Sequence, residues 1–325
     1  MRHFLPATII SVILCQALLA GQEARTTTLT VEVVNETVNG TAVTGDAVIV
    51  QLYEQGELLR TLEGAVAADG KVVFENIPAG DKIVALPRSR HDEMMFSGSP
   101  VALKPAEDGH SAQVQVFDTS DDKSKISVQT HHFIVKNTPD ALVFTEYMQL
   151  VNSSSMAVSS KEEDARGRAV VLEIELPKGF KGLESLGYFE QDALVVTDEG
   201  FYDTMAVPPG EHQVMFSYAL DKTSGAIDVV KGITLPTSKL VVFAELGQAS
   251  LQGLGESKSQ AMGPDGAEIR YYTRDNLKPG EKIAFRITGL SVENSGATTW
   301  VVLAAAFGAV MILVVLRLRA SKSRP

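Results

Sequence analysis

Apolar and polar residues alternate with a period of two through most of the chain. Leu29, Val31 and Val33 alternate with Thr30 and Glu32, and Ala112, Val114 and Val116 with Gln113 and Gln115. Val170, Leu172, Ile174 and Leu176 alternate with Val171, Glu173 and Glu175, and Ile283, Phe285 and Ile287 lie among Lys282, Ala284, Arg286 and Thr288. A strand with one buried face has this pattern, because successive side chains point to opposite sides. Turn signals separate the runs: Asn39-Gly40, Asp69-Gly70, Pro78-Ala79-Gly80, Pro208-Pro209-Gly210, Pro264-Asp265-Gly266 and Pro279-Gly280. Many short strands with turns between them predict a mainly β chain built of antiparallel β-sandwiches.

Two apolar runs break the alternation. Met1-Arg2-His3 leads into an apolar run over residues 4–20, which predicts a signal segment over residues 1–24. Residues 300–316 carry no charge, and Ala297, Thr298 and Thr299 extend them to a stretch long enough to cross a hydrocarbon core of about 30 Å as one helix. Trp300 sits where an interfacial aromatic is expected. Arg317, Arg319, Lys322 and Arg324 follow with no acid among them, so residues 317–325 are expected to be a cytosolic tail. Ala304 and Gly308 offer a small-residue face for self-association through the span.

Between these runs, two domains are expected: residues 27–118, a polar linker over 119–125, and residues 126–295. Residues 153–168 and 248–266 are expected to be long loops of the second. The 325-residue chain has a net charge of −11, and all 40 acids lie between the two apolar runs. That stretch repels nucleic acid, so nucleic-acid binding is not expected. The only cysteine, Cys15, lies in the signal segment, which removes disulfides and thiolate chemistry from the rest.

Within residues 27–118, three segments recur in order. Residues 45–52 read Gly-Asp-Ala-Val-Ile-Val-Gln-Leu, residues 68–80 read Ala-Asp-Gly-Lys-Val-Val-Phe-Glu-Asn-Ile-Pro-Ala-Gly, and residues 82–86 read Lys-Ile-Val-Ala-Leu. This layout resembles a carboxypeptidase regulatory-like, transthyretin-like domain. The resemblance implies a seven-stranded sandwich that accompanies other domains and is not itself catalytic. The whole layout is similar, more loosely, to membrane-anchored proteins of the bacterial envelope.

Candidate chemistry is sparse. His132 is in phase with Ile126, Val128 and Ile134, and Glu146 with Leu142, Phe144, Met148 and Leu150. If the turn over residues 136–141 pairs Lys136 with Leu142, His132 lies opposite Glu146. A buried or half-buried His132–Glu146 pair is therefore expected, with the histidine pKa raised and stability lost as pH rises through it. No His-Glu-x-x-His grouping and no nucleophile elbow occurs, so neither a metal nor a cofactor is expected. These features predict a non-enzymatic, single-span envelope protein, its ectodomain outside the cytosol, binding a protein or a surface polymer. The rival readings are a hydrolase or metal-dependent enzyme using the second domain, and a ligand-sensing subunit acting through a membrane partner.

Overall fold

The computed structural model describes residues 25–107, 109–222, 224–261 and 268–291. The expected signal segment, span and basic tail lie outside these residues, as do Trp300, Arg317 and Arg319. No helix among the described residues is long and apolar enough to cross a membrane.

The alternating segments near the N-terminus become eight strands: β1 (Thr26–Asn35), β2 (Ala47–Glu54), β3 (Glu57–Ala65), β4 (Lys71–Pro78), β5 (Ile83–His91), β6 (Met94–Ser97), β7 (Val101–Ala102) and β8 (Gly109–Val116). They form two layers, β4-β1-β8 and β3-β2-β5-β6, with β7 added on β5. Strands β1 and β8 run parallel. Leu29, Val31 and Val33 of β1 and Val48, Val50 and Leu52 of β2 are buried in the shared core. Each such side chain contributes about 1.5–3 kcal/mol by leaving water. The resemblance implied seven strands; the two-residue β7 makes eight. Gly70, in the turn before β4, has φ +79°, a conformation that favours glycine.

The rest of the chain supplies β9 (Thr119–Ser120), β10 (Ile126–Asn137), β11 (Ala141–Asn152), β12 (Ala157–Val158), β13 (Leu172–Glu175), β14 (Lys181–Ser185), β15 (Leu194–Thr197), β16 (Gly200–Asp203), β17 (Gly210–Asp221), β18 (Ala226–Gly232), β19 (Thr237–Glu245), β20 (Ser250–Gln252), β21 (Lys258–Ala261), β22 (Glu268–Leu277) and β23 (Lys282–Thr288). One seven-stranded sheet has the order β14-β17-β11-β10-β19-β22-β21. Two smaller sheets, β13-β16-β15 and β18-β23-β20, cover its inner face. Aromatic rings lock the layers together. Phe133 of β10 meets Phe285 of β23 at 6.0 Å, and Phe216 of β17 meets Phe201 of β16 at 5.0 Å, both edge to face.

The stretch expected to be a free linker has structure of its own. Thr119 and Ser120 pair in parallel with Ala157 and Val158, and Asp122 accepts from the Ser124 backbone N–H to cap a single 3-10 turn over Lys123–Lys125. Several of its polar residues make local hydrogen bonds, which composition alone does not reveal. The loops expected over 153–168 and 248–266 likewise contain the short strands β12, β20 and β21.

Candidate functional site

Three features stand out, and the sequence marked a residue of the first, Glu146. The first lies in the core of the second sandwich. Glu146 of β11 is fully buried on the inner face of the seven-stranded sheet. Its Oε2 accepts from His131 Nε2 at 2.8 Å and pairs with Lys231 Nζ at 2.9 Å, while its Oε1 accepts from the Tyr218 hydroxyl at 2.8 Å. Lys231 Nζ also donates to the Glu175 carbonyl at 2.6 Å. Burial pushes the Glu146 carboxyl up, but the Lys231 charge and the His131 hydrogen bond outweigh it and hold the pKa below its ordinary value. The same burial, with the Glu146 charge beside it, raises the Tyr218 hydroxyl well above its usual range.

The carboxylate therefore pairs with His131 and not with His132. The expected register holds for Ile126, Ser127 and Val128, which face Asn152, Val151 and Leu150. The ladder then shifts at Gln129, so that Thr130 faces Gln149 and Phe133 faces Glu146. One extra residue in a strand inverts the faces of everything beyond it. His131 joins Phe133 and Val135 in the core, and His132 turns to the opposite face.

On that face His132 packs against Tyr147 at 5.7 Å and Phe243 at 5.3 Å, and its Nδ1 is buried without a hydrogen-bond partner. Burial, with the neighbouring His131 charge adding to it, pushes its pKa down to about 4, opposite to the expected rise. The unfolded chain binds this proton near pH 6.5, so His132 stability is present above that pH and is lost as pH falls toward about 4. Replacing His132 with phenylalanine should flatten the loss of stability in this window, read as urea midpoint against pH. An unchanged slope would rule out His132 as its source.

The second cluster lies at the end of the first sandwich, where the chain leaves it for the second. His91, at the end of β5, is buried. Its Nδ1–H donates to Asp46 Oδ2 at 2.6 Å and its Nε2–H to Asp118 Oδ1 at 3.0 Å. Asp118 Oδ1 also accepts from Asn35 Nδ2 at 2.7 Å and Thr41 Oγ1 at 2.8 Å. Burial opposes the imidazolium, but its hydrogen bonds to Asp118 and Asp46 outweigh this and raise the His91 pKa. Burial alone would raise the Asp118 carboxyl; its donors His91, Asn35 and Thr41 instead hold it well below the usual carboxylate range.

The next residue continues the attachment. Asp92 Oδ2 accepts from the Thr119 backbone N–H at 2.8 Å and from its hydroxyl at 2.9 Å. Asp92 and Glu93 form the tip of the β5–β6 hairpin with φ of +50° and +66°. Such a turn favours Asn-Gly, and each non-glycine residue there costs on the order of 1 kcal/mol. At the other end of this hairpin, Arg88 reaches across to Glu190 at 2.5 Å and Asp192 at 2.7 Å.

The third feature is a cleft of about 810 Å³ walled by both sandwiches. Arg90, Glu93 and Met95 line it from the first, and Lys161, Glu163 and Arg168 from the second. By contrast, the space beside His131 and Lys231 is about 10 Å³, room for roughly one water. Among the described residues no group of three or more His, Cys, Asp or Glu side chains is placed to hold a metal ion.

Sequence reasoning missed Lys231, Tyr218 and the whole His91 cluster. Lys231 was legible: it shares a phase with Val229 and Ile233, both buried. A lysine on an apolar phase calls for a buried carboxylate. The His91 cluster left no local signal.

No protein-family model matches the chain, and no curated protein matches it in sequence. Three solved structures give the following correspondences. The full-length major pilin SpaD from Corynebacterium diphtheriae is 13% identical over 84% of this chain and 88% of that one, with a TM-score of 0.23. A DUF3823 family protein from Parabacteroides merdae is 14% identical over 65% and 91%, with a TM-score of 0.21. The RrgB pilus protein from Streptococcus pneumoniae is 11% identical over 85% and 64%, also with a TM-score of 0.21. TM-scores this low assign neither a family nor a role.

Proposed function

We propose that the chain is a non-enzymatic, membrane-tethered envelope protein that binds a partner, a protein or a surface polymer, in the cleft between its two β-sandwiches. One observation carries this reading: the cleft of about 810 Å³ has walls from both sandwiches, which several polar contacts hold together. Clefts at such joints are where binding sites concentrate. Cationic and anionic side chains line it together with Met94, Met95 and Met156, a mixture suited to a polar chain with some apolar substituents.

The tether rests on the apolar run at 297–316 and the basic residues after it, and the carboxypeptidase regulatory-like reading of residues 27–118 rests on the motif layout. The buried Glu146 network does not favour the enzyme reading, because the space beside it admits only about one water. Its ionised groups satisfy one another and leave no group poised on a substrate.

The cleft is tested by placing a photo-crosslinking residue at Met95 and, separately, at Val196, an exposed position outside the cleft. In intact cells Met95 should give discrete adducts and Val196 none. Charge reversal by Arg90→Glu with Lys161→Glu should abolish them. The absence of adducts from Met95, or the same adducts from both positions, would overturn the proposal.

A further inference from the structure

We propose that the joint between the two sandwiches is a proton-operated latch, closed while His91 carries both ring protons and loosened when it loses one. The groups facing His91 come from each segment packed on it: Asn35 at the end of β1, Thr41 and Asp46 from the loop that follows, and Asp118 from the segment after β8. The two carboxylates are the charged groups acting on it. They sit on opposite ring nitrogens, so both are satisfied only by the imidazolium, which donates from both.

Loss of one proton does more than remove a charge. Asn35 Nδ2 and Thr41 Oγ1 each stand 3.2 Å from His91 Nε2. Both now serve Asp118 Oδ1, at 2.7 and 2.8 Å. A bare Nε2 becomes an acceptor and competes for these donors. Asp118 then loses its imidazolium partner and shares its remaining side-chain donors, leaving the Thr41 backbone N–H at 3.1 Å. Two alternative hydrogen-bond sets on the same atoms make the arrangement two-state rather than graded.

The next residues couple this exchange to the joint. Asp118 leads directly into Thr119, which Asp92 holds, and Asp92 follows His91 in the strained hairpin tip. His91 and Asp92 thus hold Asp118 and Thr119, the last residue of the first sandwich and the first of the connection. The latch stands whatever the cleft binds, although Asp92 and Thr119 also line the cleft.

The sign follows from the raised His91 pKa. Closure is complete below the value of the open state, about 6.5. The opening constant rises about tenfold per pH unit from there to the raised value and is level beyond it. Hydrogen exchange of the full-length chain in detergent reads this directly. After correction for intrinsic rates, protection of the Thr41, Asp118 and Thr119 amides should fall about tenfold per pH unit across that window. His91→Gln should show low protection at these amides at all pH values, and His110→Gln should keep the wild-type profile. A wild-type profile without this fall overturns the latch. So does a His91→Gln variant that retains the fall, because the proton would then reside elsewhere. If His91→Gln fails to fold, the wild-type profile still decides, together with Thr41→Val. By removing one competitor for the bare nitrogen, Thr41→Val should move the midpoint; an unmoved midpoint excludes the donor exchange.

Discussion

Replacing Lys231 with methionine should destabilise the protein by about 3–5 kcal/mol, because it strands a buried carboxylate without its counter-charge. Glu146 is fully buried, and Lys231 Nζ pairs with it at 2.9 Å. The loss should shift the urea midpoint downward with the slope unchanged. The second arm is the double variant Lys231→Met with Glu146→Gln. It removes both charges, keeps the hydrogen bonds of residue 146 to Tyr218 and His131, and gives up the one from Lys231 to the Glu175 carbonyl. The glutamine carbonyl accepts from the Tyr218 hydroxyl, and its amide donates to His131 Nε2 in the other tautomer. The double variant should therefore return to within about 1–2 kcal/mol of the wild type, since replacing both members of a buried ion pair is often close to neutral. A double variant as unstable as Lys231→Met alone would show that Lys231 contributes by packing, for instance over the Phe216 ring at 5.9 Å, and not by charge.

The network also shows where reading the sequence succeeds and where it stops. Alternation placed β1, β8, β13 and β23 and identified their buried residues, because a one-sided strand writes its face into the residue order. The same logic found that Glu146 is a core residue. It chose the wrong histidine because β10 has apolar residues in both phases. Ile126, Val128 and Ile134 are even-numbered, Phe133 and Val135 odd-numbered, and all five are buried. A shift at Gln129 puts Phe133 and Val135 on the core face with Ile126 and Val128 and leaves Ile134 on the other face with His132; a polar, exposed residue inside an apolar strand was the available hint. The His91 latch lay beyond any such reading. Asp46, His91 and Asp118 are separated by 45 and 27 residues, and tertiary structure alone brings them to one imidazole. The polar stretch after Asp118 resembled a linker because side chains that bind backbone and side chains that bind water have the same composition.

Asp203→Asn should stabilise the protein at pH 8 and leave it nearly unchanged near pH 4. Asp203 ends β16 and is buried, with the Met205 backbone N–H donating to its Oδ1 at 3.1 Å. Burial is the main cause that pushes its pKa up to about 7; the Glu190 charge adds to this, and the backbone N–H groups of Met205 and Thr204 oppose it. In the unfolded chain the same carboxyl ionises near 3.9. The native state therefore holds the proton across the interval between these values while the unfolded state has released it. Stability from this group falls as pH rises through the interval and is level above about 7. The whole difference is on the order of 4 kcal/mol, reduced by any water that reaches the group. Asparagine keeps the carbonyl that accepts from Met205 and cannot ionise, so it removes the slope. Subtracting the wild-type urea midpoint from that of the variant at each pH isolates this site from His91, whose own loss at high pH is common to both proteins. The difference should be small near pH 4, grow through neutrality and level off. A difference that is constant with pH would mean that Asp203 titrates alike in both states, and that its burial is compensated by contacts other than its backbone donors.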